Sequence, residues 1–307
     1  MKFKNEKELG FGNKRYQNTV RFLNRDGSIN ISRRGLGFEN LDLYNWFISS
    51  RHGVFYSILL IGYLAVNLIF GSLYYVIGAD QFGGIDTSSE FQKFISLFFF
   101  SAQTITTLGY GHIYPVGNAA SIAAAFESLL GLLAFAIVTG ILFGRFSRPR
   151  AHLEYSKNLL IAPYGEIKGL MFRISNKKQY ELIEAEASVM LSMNDPQSGK
   201  RIFLQLPLEI SKINFLTLSW TIVHPIDEKS PLFGLSVHDL ETRDMELIIL
   251  MQAVNDGIAQ TVYSRFSYKA HDIVEGAKFR PMKTEPDTRG RLQLNVTEVH
   301  HFDYLEK

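Results

Sequence analysis

Two long stretches of apolar sequence dominate the first half of the chain. The first runs without a charge from Gly53 to Ala79, and the second, at about residues 116–144, contains one charged side chain, Glu127. A helix rises about 1.5 Å per residue, so either stretch can cross a hydrocarbon core about 30 Å thick. The pattern therefore predicts two transmembrane helices, at residues 53–79 and 116–146.

A shorter apolar segment lies between these helices, from Phe91 to about Thr104. It is too short to cross the membrane and predicts a re-entrant pore helix, the first part of a pore region at residues 80–115. Non-helical backbone at membrane depth is tolerated only where it is buried in protein or lines water, so the segment after this helix must be enclosed. The alternative, an amphipathic helix on the membrane surface, leaves that next segment unexplained.

The next segment reads Thr-Ile-Thr-Thr-Leu-Gly-Tyr-Gly-His-Ile-Tyr-Pro over residues 104–115. Gly109 and Gly111 can adopt backbone angles that a side chain would forbid, which lets successive carbonyls point inward. Such carbonyls replace the water around a potassium ion in filters that read Thr-Val-Gly-Tyr-Gly, and Leu108 stands in place of Val here. A lone Gly-Tyr-Gly would favour an ordinary turn, but the flanking spans favour a potassium filter closed by four copies of the chain. The predicted ion-binding residues are Thr106, Thr107, Leu108, Gly109, Tyr110 and Gly111.

From about residue 158 the chain changes to short runs of β-forming residues separated by turn signals. These runs lie at residues 166–175, 181–193, 201–206, 214–223, 245–254, 258–268 and 292–299. Their even spacing predicts an all-β sandwich over residues 158–307, joined to the second span by a linker at residues 147–157. The sequence lacks motifs for nucleotide binding, zinc catalysis or cysteine clusters, so we expect no enzyme activity and no cofactor beyond permeant potassium.

The N-terminal part divides into a polar segment at residues 1–40 and a mixed segment at residues 41–52. In the mixed segment, Tyr44 and Trp46 lie among both apolar and polar neighbours. Aromatic rings with a polar edge prefer the headgroup layer, so this segment predicts an interfacial slide helix lying flat on the inner leaflet.

Charge predicts the orientation in the membrane. The net charge is only +2, yet the first 52 residues contain ten basic and five acidic residues. The loop between the spans carries instead Asp80, Asp86, Glu90 and Lys93. By the positive-inside rule, both termini are predicted to be cytoplasmic in a cell membrane. The absence of Cys rules out a disulfide in the outer loop and is compatible with a reducing interior.

A group of arginines lies close to the predicted inner membrane surface. Each basic residue near an anionic surface contributes about 1 kcal/mol, and a converging group can hold a phosphorylated headgroup. For any single arginine, the ordinary positive-inside bias explains its presence equally well. The predicted binding residues for anionic phospholipid, phosphoinositides included, are Arg33, Arg34, Arg51, Arg145, Arg148 and Arg150.

Three residues of the second span depart from its apolar pattern. Exposing Glu127 to lipid would cost about 2.5–3.5 kcal/mol, so its carboxyl should face protein or water. We expect Glu127 to hydrogen-bond the back of the pore helix as a buttress, with ion binding as the alternative. Gly131 and Gly140 allow bending or close packing, and we predict them as hinge positions.

From about residue 20 to its end the chain resembles the inward-rectifier potassium channel family, and within it the bacterial KirBac branch. The resemblance rests on Arg21-Phe22 with Asp26-Gly27, the filter, Phe126-Glu127-Ser128 with Gly131, residues 143–149 and, most specifically, residues 220–232. It implies a homotetramer of two-helix pore subunits, each with a cytoplasmic immunoglobulin-like sandwich. It also implies passive potassium conduction and gating at the helix-bundle crossing, modulated by anionic phospholipid.

The resemblance further implies roles for individual residues. Phe143 corresponds to the hydrophobic gate, Glu184 and Asp256 to vestibule acids, and residues 257–260 to a narrow cytoplasmic girdle. Phe135 stands where strong rectifiers carry an acid or Asn facing the cavity, so we expect weak rectification and weak block by magnesium or polyamines. Gln103 and His112 also depart from residues common around such filters, which leaves filter rigidity and outer-mouth charge open.

Two other functions fit parts of the pattern. A membrane-tethered β-sandwich that acts as a scaffold or sensor without conducting has no use for a filter. A potassium channel gated by nucleotide or calcium through a Rossmann-type domain is disfavoured by the β-rich second half. We expect no nucleic-acid partner.

Overall fold

The computed structural model describes residues 21–24, 27–30, 42–147, 151–286 and 288–305. The chain divides into two compact units. One, the membrane unit, is Gly35–Arg148, and the other, the β unit, combines Met1–Arg34 with Pro149–Lys307.

The membrane unit is built from helices and one small pair of strands. In chain order these elements are α1 (Leu43–Ser49), α2 (His52–Ile77), β1 (Phe82–Gly83), α3 (Glu90–Ile105), β2 (Tyr114–Pro115) and α4 (Asn118–Phe146). Among the described residues, α2 and α4 are the two helices long and apolar enough to cross a membrane. Between them, α3 occupies the position of the predicted pore helix.

Local backbone chemistry explains where these helices end. Gly78 has a φ of 112°, which only glycine adopts readily, so α2 stops at Ile77 and not at residue 79. Helix α1 is shorter than the predicted 41–52 segment. Its N-cap Asp42 accepts a hydrogen bond from the backbone N–H of Asn45, and Ser50 is already extended with a ψ of 155°.

Aromatic side chains join α2, α3 and β1. Phe82 and Phe100 each pack edge-on against the fully buried ring of Tyr74, at centroid distances of 5.3 and 5.2 Å. Gly71 lets α3 approach α2 closely, because a Cβ there would lie 3.1 Å from the Cα of Phe98. This cluster fixes the depth at which the pore helix sits between the two long helices.

The β unit is a sandwich of two five-stranded sheets. One sheet has the order β11-β10-β6-β7 with β8 paired to β6, and the other has the order β12-β4-β5-β3 with β9 paired to β5. The strands are β3 (Leu153–Tyr155), β4 (Leu159–Tyr164), β5 (Ile167–Asn176), β6 (Leu182–Asn194), β7 (Arg201–Leu206), β8 (Lys212–Phe215), β9 (Ser219–Ile226), β10 (Glu246–Asn255), β11 (Gln260–Lys269), β12 (Ile273–Glu275), β13 (Ala277–Phe279), β14 (Thr284–Pro286), β15 (Leu292–Leu294) and β16 (Phe302–Tyr304). A short helix, α5 (Val237–Thr242), precedes β10.

Several strands differ from the predicted runs, and β4, β12, β13, β14 and β16 match none of them. Strand β3 lies inside the predicted linker at 147–157 and pairs with β5, because Leu153 and Tyr155 both face the core. The predicted run 214–223 is split between β8 and β9, and the predicted run 292–299 contains β15 followed by a short 3-10 turn. The sandwich therefore begins before residue 158, the start that the sequence pattern predicts.

The described N-terminal residues belong to the β unit. The carboxylate of Glu246, which is fully buried, accepts the backbone N–H of Phe22 at 3.0 Å. The guanidinium of Arg21 pairs with Asp272 at 2.8 Å, and Leu23 is buried. The Arg21-Phe22 motif is thus an anchor for this segment at the end of the sheet where β10 begins and β11 ends.

His224 lies buried within the 220–232 motif. Its Nδ1 is 2.6 Å from the carbonyl oxygen of Pro207, and its Nε2 is 2.8 Å from the hydroxyl of Ser230. A neutral ring satisfies both contacts, because Nδ1–H donates to the carbonyl while Nε2 accepts from the hydroxyl. Burial lowers the pKa of His224, so the fold favours the neutral ring.

We expect acid to destabilise the β unit through His224. Because its folded pKa lies below its unfolded value, the stabilisation is complete above about pH 6.5 and is lost as the pH falls through the folded pKa. His224→Gln should lower the free energy of unfolding by about 1–3 kcal/mol at neutral pH, since one buried hydrogen-bond partner of the ring stays unpaired. Thermal unfolding of the purified protein over about pH 5–8 checks this. A variant with the same pH slope as the wild type would contradict it.

Candidate functional site

The backbone after α3 has an unusual alternation. Thr107, Gly109 and Gly111 have φ values of 56°, 54° and 77°, whereas Leu108 and Tyr110 are not in the positive-φ region. In a regular strand successive carbonyls point to opposite sides. Alternating the sign of φ turns them toward one side, which is the arrangement that a row of ion-coordinating oxygens requires.

Thr107 is the predicted filter residue whose conformation the sequence pattern does not indicate. A β-branched residue at positive φ is rare and costs about 1–2 kcal/mol, so such strain usually marks a functional position. The backbone N–H of Thr107 donates to the carbonyl of Thr104 at 3.0 Å. The free carbonyls that every helix leaves at its C-terminus are the signal that could have indicated this anchoring.

Gln103 holds the next part of the filter. Its carbonyl accepts the backbone N–H of Leu108 at 2.9 Å and that of Gly109 at 3.3 Å. The main chain of Gln103, and not its side chain, makes these contacts. The end of the pore helix therefore supports the start of the filter directly.

Two side chains of the predicted filter are largely exposed in the single chain. Leu108 is 55% exposed and Tyr110 is 74% exposed. A Cβ built on Gly109 or Gly111 would meet nothing within 4 Å among the described residues. The predicted filter segment is thus held at its start by α3, and residues 106–112 are exposed in the single described chain.

Glu127 is completely buried where α4 meets the other two helices. Its carboxyl is hydrogen-bonded by the hydroxyl of Ser101 on α3, and its Oε2 lies 2.5 Å from the hydroxyl of Tyr74 on α2. The structure therefore places Glu127 against the pore helix, at the position where the sequence pattern puts a buttress.

The two glycines of α4 have different surroundings. Gly131 is buried, and a Cβ there would lie 2.1 Å from the carbonyl oxygen of Ile105 at the end of α3. Gly140 is exposed, and a Cβ there would meet nothing within 4 Å in the described part of the chain. The structure thus shows close packing at Gly131, and a hinge at Gly131 or at Gly140 stays a prediction.

Helix α4 also carries large exposed aromatic side chains. Phe135 is 72% exposed and Phe143 is 73% exposed. Phe135 lines a largely apolar cavity of about 800 Å³, together with Thr106 and Thr107 at the base of the filter. Phe143 lies one turn before the end of α4.

The predicted lipid-binding arginines divide into three groups. The guanidinium of Arg145 donates to the carbonyls of Phe47 at 3.0 Å and Ser50 at 2.5 Å, and it stacks over the ring of Phe55 at 5.1 Å. Arg51 is exposed and its side chain makes no capping hydrogen bond to α2. Arg33, Arg34, Arg148 and Arg150 lie outside the described residues.

The two predicted vestibule acids lie at one end of the β6–β10 strand pair, where Leu182 faces Asn255. Glu184 has a φ of 49° at an irregularity in that pairing, and its carboxylate is 3.1 Å from the ammonium of Lys212. Asp256 is exposed in a short 3-10 turn. The bulge and the lysine partner of Glu184 are features that the sequence pattern does not indicate.

Known proteins similar to this chain cover both units. A family model described as the inward rectifier potassium channel C-terminal domain matches residues 153–306. A second family model, described as an ion channel, matches residues 60–148.

Three relatives align with nearly the whole chain. The inward rectifier potassium channel Kirbac3.1 of Paramagnetospirillum magnetotacticum is 32% identical, over 91% of this chain and 95% of that protein. The ATP-sensitive inward rectifier potassium channel 12 of Bos taurus is 28% identical, over 95% of this chain and 74% of that protein. The inward rectifier potassium channel 18 of Homo sapiens is 28% identical, over 95% of this chain and 73% of that protein.

Proposed function

Because the chain belongs to the inward rectifier potassium channel family, we propose that four copies of it form a gated, potassium-selective pore in a cell membrane. The observation that carries this proposal is the alternation of φ at Thr107, Gly109 and Gly111. That backbone can line one wall of an ion pathway with carbonyl oxygens. Potassium is then the permeant ion, and the chain has no catalytic role.

The exposed filter side chains of a single copy support an assembly of four copies. Backbone at membrane depth must be enclosed by protein or water, and the filter side chains of Leu108 and Tyr110 are largely exposed in a single subunit. A fourfold ring covers these side chains with neighbouring subunits and brings four sets of carbonyls around one axis. This arrangement supplies the carbonyl oxygens that replace the hydration shell of an ion.

Rubidium uptake into liposomes that contain the purified protein tests the proposal. We expect uptake that barium blocks, that exceeds sodium uptake and that requires a tetrameric particle. Protein-dependent uptake that does not discriminate against sodium would contradict the filter assignment. No uptake in any lipid mixture, from a correctly folded tetramer, would favour the non-conducting scaffold instead.

We propose Phe143 as the gate, since four large apolar side chains near the inner end of α4 can stop ions by excluding water. Phe143→Ala should raise basal rubidium uptake, because the smaller side chain leaves a hydrated opening. Phe146, three residues later and 70% exposed, provides the matched control. Equal uptake by Phe143→Ala, Phe146→Ala and the wild type would move the gate elsewhere.

We propose weak rectification, because an apolar Phe135 beside the base of the filter offers polyamines and magnesium no negative charge. Phe135→Asp should create steep, voltage-dependent polyamine block in patch recordings, since four carboxylates would then attract the blocker. Phe135→Leu changes the side chain without adding charge, so polyamines should block this variant only weakly. An unchanged current–voltage curve in Phe135→Asp would contradict the cavity-facing position of residue 135.

Anionic phospholipid is the proposed regulator, and both termini are proposed to be cytoplasmic. The exposed guanidinium of Arg51 at the start of α2 can reach a phosphorylated headgroup. Arg33, Arg34, Arg148 and Arg150 stay predicted lipid ligands from the sequence. Glu184 and Asp256 are proposed to concentrate cations in the cytoplasmic part of the pathway, although Lys212 offsets part of the charge of Glu184.

A further inference from the structure

Four polar side chains meet in the apolar interior of the membrane unit. Asn67 and Tyr74 come from α2, Ser101 from α3 and Glu127 from α4, and each is completely buried. Buried polar groups of this kind must be hydrogen-bonded, because an unpaired polar group in an apolar surrounding is costly. Among the described residues, Tyr74 is the only other titratable side chain in contact with the Glu127 carboxyl.

The contacts form a chain from helix to helix. The hydroxyl of Tyr74 lies 2.5 Å from Oε2 of Glu127, and Oε1 of Glu127 is hydrogen-bonded to the hydroxyl of Ser101. The hydroxyl of Ser101 is in turn 3.0 Å from Oδ1 of Asn67. Three contacts between oxygen atoms therefore stand in a row, and each needs one hydrogen.

The orientation of the Asn67 amide fixes one end of this row. Its Nδ2 donates to the backbone carbonyl of Tyr63 at 2.7 Å. Exchanging the two ends of the amide would place two acceptor oxygens against each other at that carbonyl, so Oδ1 is the atom that faces Ser101. Asn67 accepts there and supplies no hydrogen to the row.

Counting hydrogens then decides the state of Glu127. The hydroxyls of Tyr74 and Ser101 supply one each, which leaves the third oxygen contact without a hydrogen if Glu127 is ionised. With a proton on Oε1, Glu127 donates to Ser101, Ser101 donates to Asn67 and Tyr74 donates to Oε2. Every contact is then satisfied and no charge is buried.

We propose that Glu127 holds a proton at neutral pH and works as a neutral hydrogen-bond donor that positions the pore helix. Ser101 is two residues before Gln103, whose carbonyl holds the N–H groups of Leu108 and Gly109. The path from Glu127 to the filter therefore runs through one turn of α3. The protonation rests on the hydrogen count alone, and its effect on selectivity rests on the proposed channel function.

Infrared spectroscopy of the purified protein tests the proton without requiring conduction. A protonated carboxyl absorbs at higher frequency than an ionised one, and labelling Glu with carbon-13 shifts that band. At neutral pH we expect one such band in the wild type, its loss in Glu127→Gln and its retention in Glu90→Gln. Glu90 is the matched control because it lies on the pore helix α3 and its side chain is 69% exposed. No band in the wild type, or a band that survives Glu127→Gln, would overturn the proposal.

Ion selectivity tests the positioning role. Glutamine supplies an N–H to Ser101 and a carbonyl to Tyr74, so Glu127→Gln should keep the wild-type ratio of rubidium to sodium uptake at every pH. Glu127→Ala leaves the row broken and should reduce that ratio about tenfold or more, if the tetramer forms. Equal damage by the two substitutions in intact tetramers would show that a charged carboxylate is required. A wild-type ratio in Glu127→Ala tetramers would remove the positioning role and leave the infrared result unaffected.

Discussion

Replacing Gly131 by alanine should prevent a stable pore from forming. The added Cβ would lie 2.1 Å from the carbonyl oxygen of Ile105, a backbone atom at the end of α3 that cannot rotate away. Relieving such overlap in a packed interior costs about 1–3 kcal/mol per site, and four subunits share one assembly. We expect the loss of the tetramer in detergent, measured by size-exclusion chromatography and thermal unfolding, and the loss of rubidium uptake with it.

Gly140→Ala provides the matched control on the same helix. Nothing lies within 4 Å of a Cβ at that position among the described residues, and alanine favours a helix by about 1 kcal/mol over glycine. Its tetramer should be as stable as the wild type, and a hinge at Gly140 would appear as altered gating only. Equal tetramer stability for the two alanine variants would contradict the close packing assigned to Gly131.

These two glycines illustrate how much the sequence can predict. Both interrupt an apolar helix in the same way, and the pattern offers a hinge or a packing role for each. The difference between them is the carbonyl of Ile105, which belongs to another helix and approaches only Gly131. A contact made by tertiary packing has no signature in the spacing of residues along one helix.

The same distinction applies to the filter and the β unit. Glycine chemistry predicted the conformations at Gly109 and Gly111, but the positive φ of Thr107 depends on hydrogen bonds to the end of α3. Longer strands such as β6 and β10 follow the runs of β-forming residues that the sequence predicts. The three-residue β3 is too short for a periodic signal, and pairing with β5 defines it.

Arg145 is the residue whose sequence interpretation the geometry changes most. A basic residue at the inner end of a span predicts lipid binding, yet the guanidinium of Arg145 donates to carbonyls at the end of α1. Helix α1 has no basic residue in its own last turn to offset those carbonyls. Gly144 adds a close approach, since a Cβ there would lie 2.7 Å from the hydroxyl of Tyr44. We therefore propose that Arg145 fastens α1 to the helix that carries the proposed gate.

Arg145→Lys separates this fastening from lipid attraction, because lysine keeps the charge but lacks the planar fork that reaches two carbonyls at once. We expect the contact between α1 and α4 to lose about 2–3 kcal/mol of stabilising free energy, since hydrogen bonds to charged groups contribute about 1.5–3 kcal/mol each. Amide hydrogen exchange within Leu43–Ser49 should quicken at least about tenfold, and basal rubidium uptake should change. Arg51→Gln, which removes an exposed charge, should leave that exchange unchanged and weaken only the response to anionic lipid. Wild-type exchange in Arg145→Lys would contradict the proposal that Arg145 fastens α1 to α4.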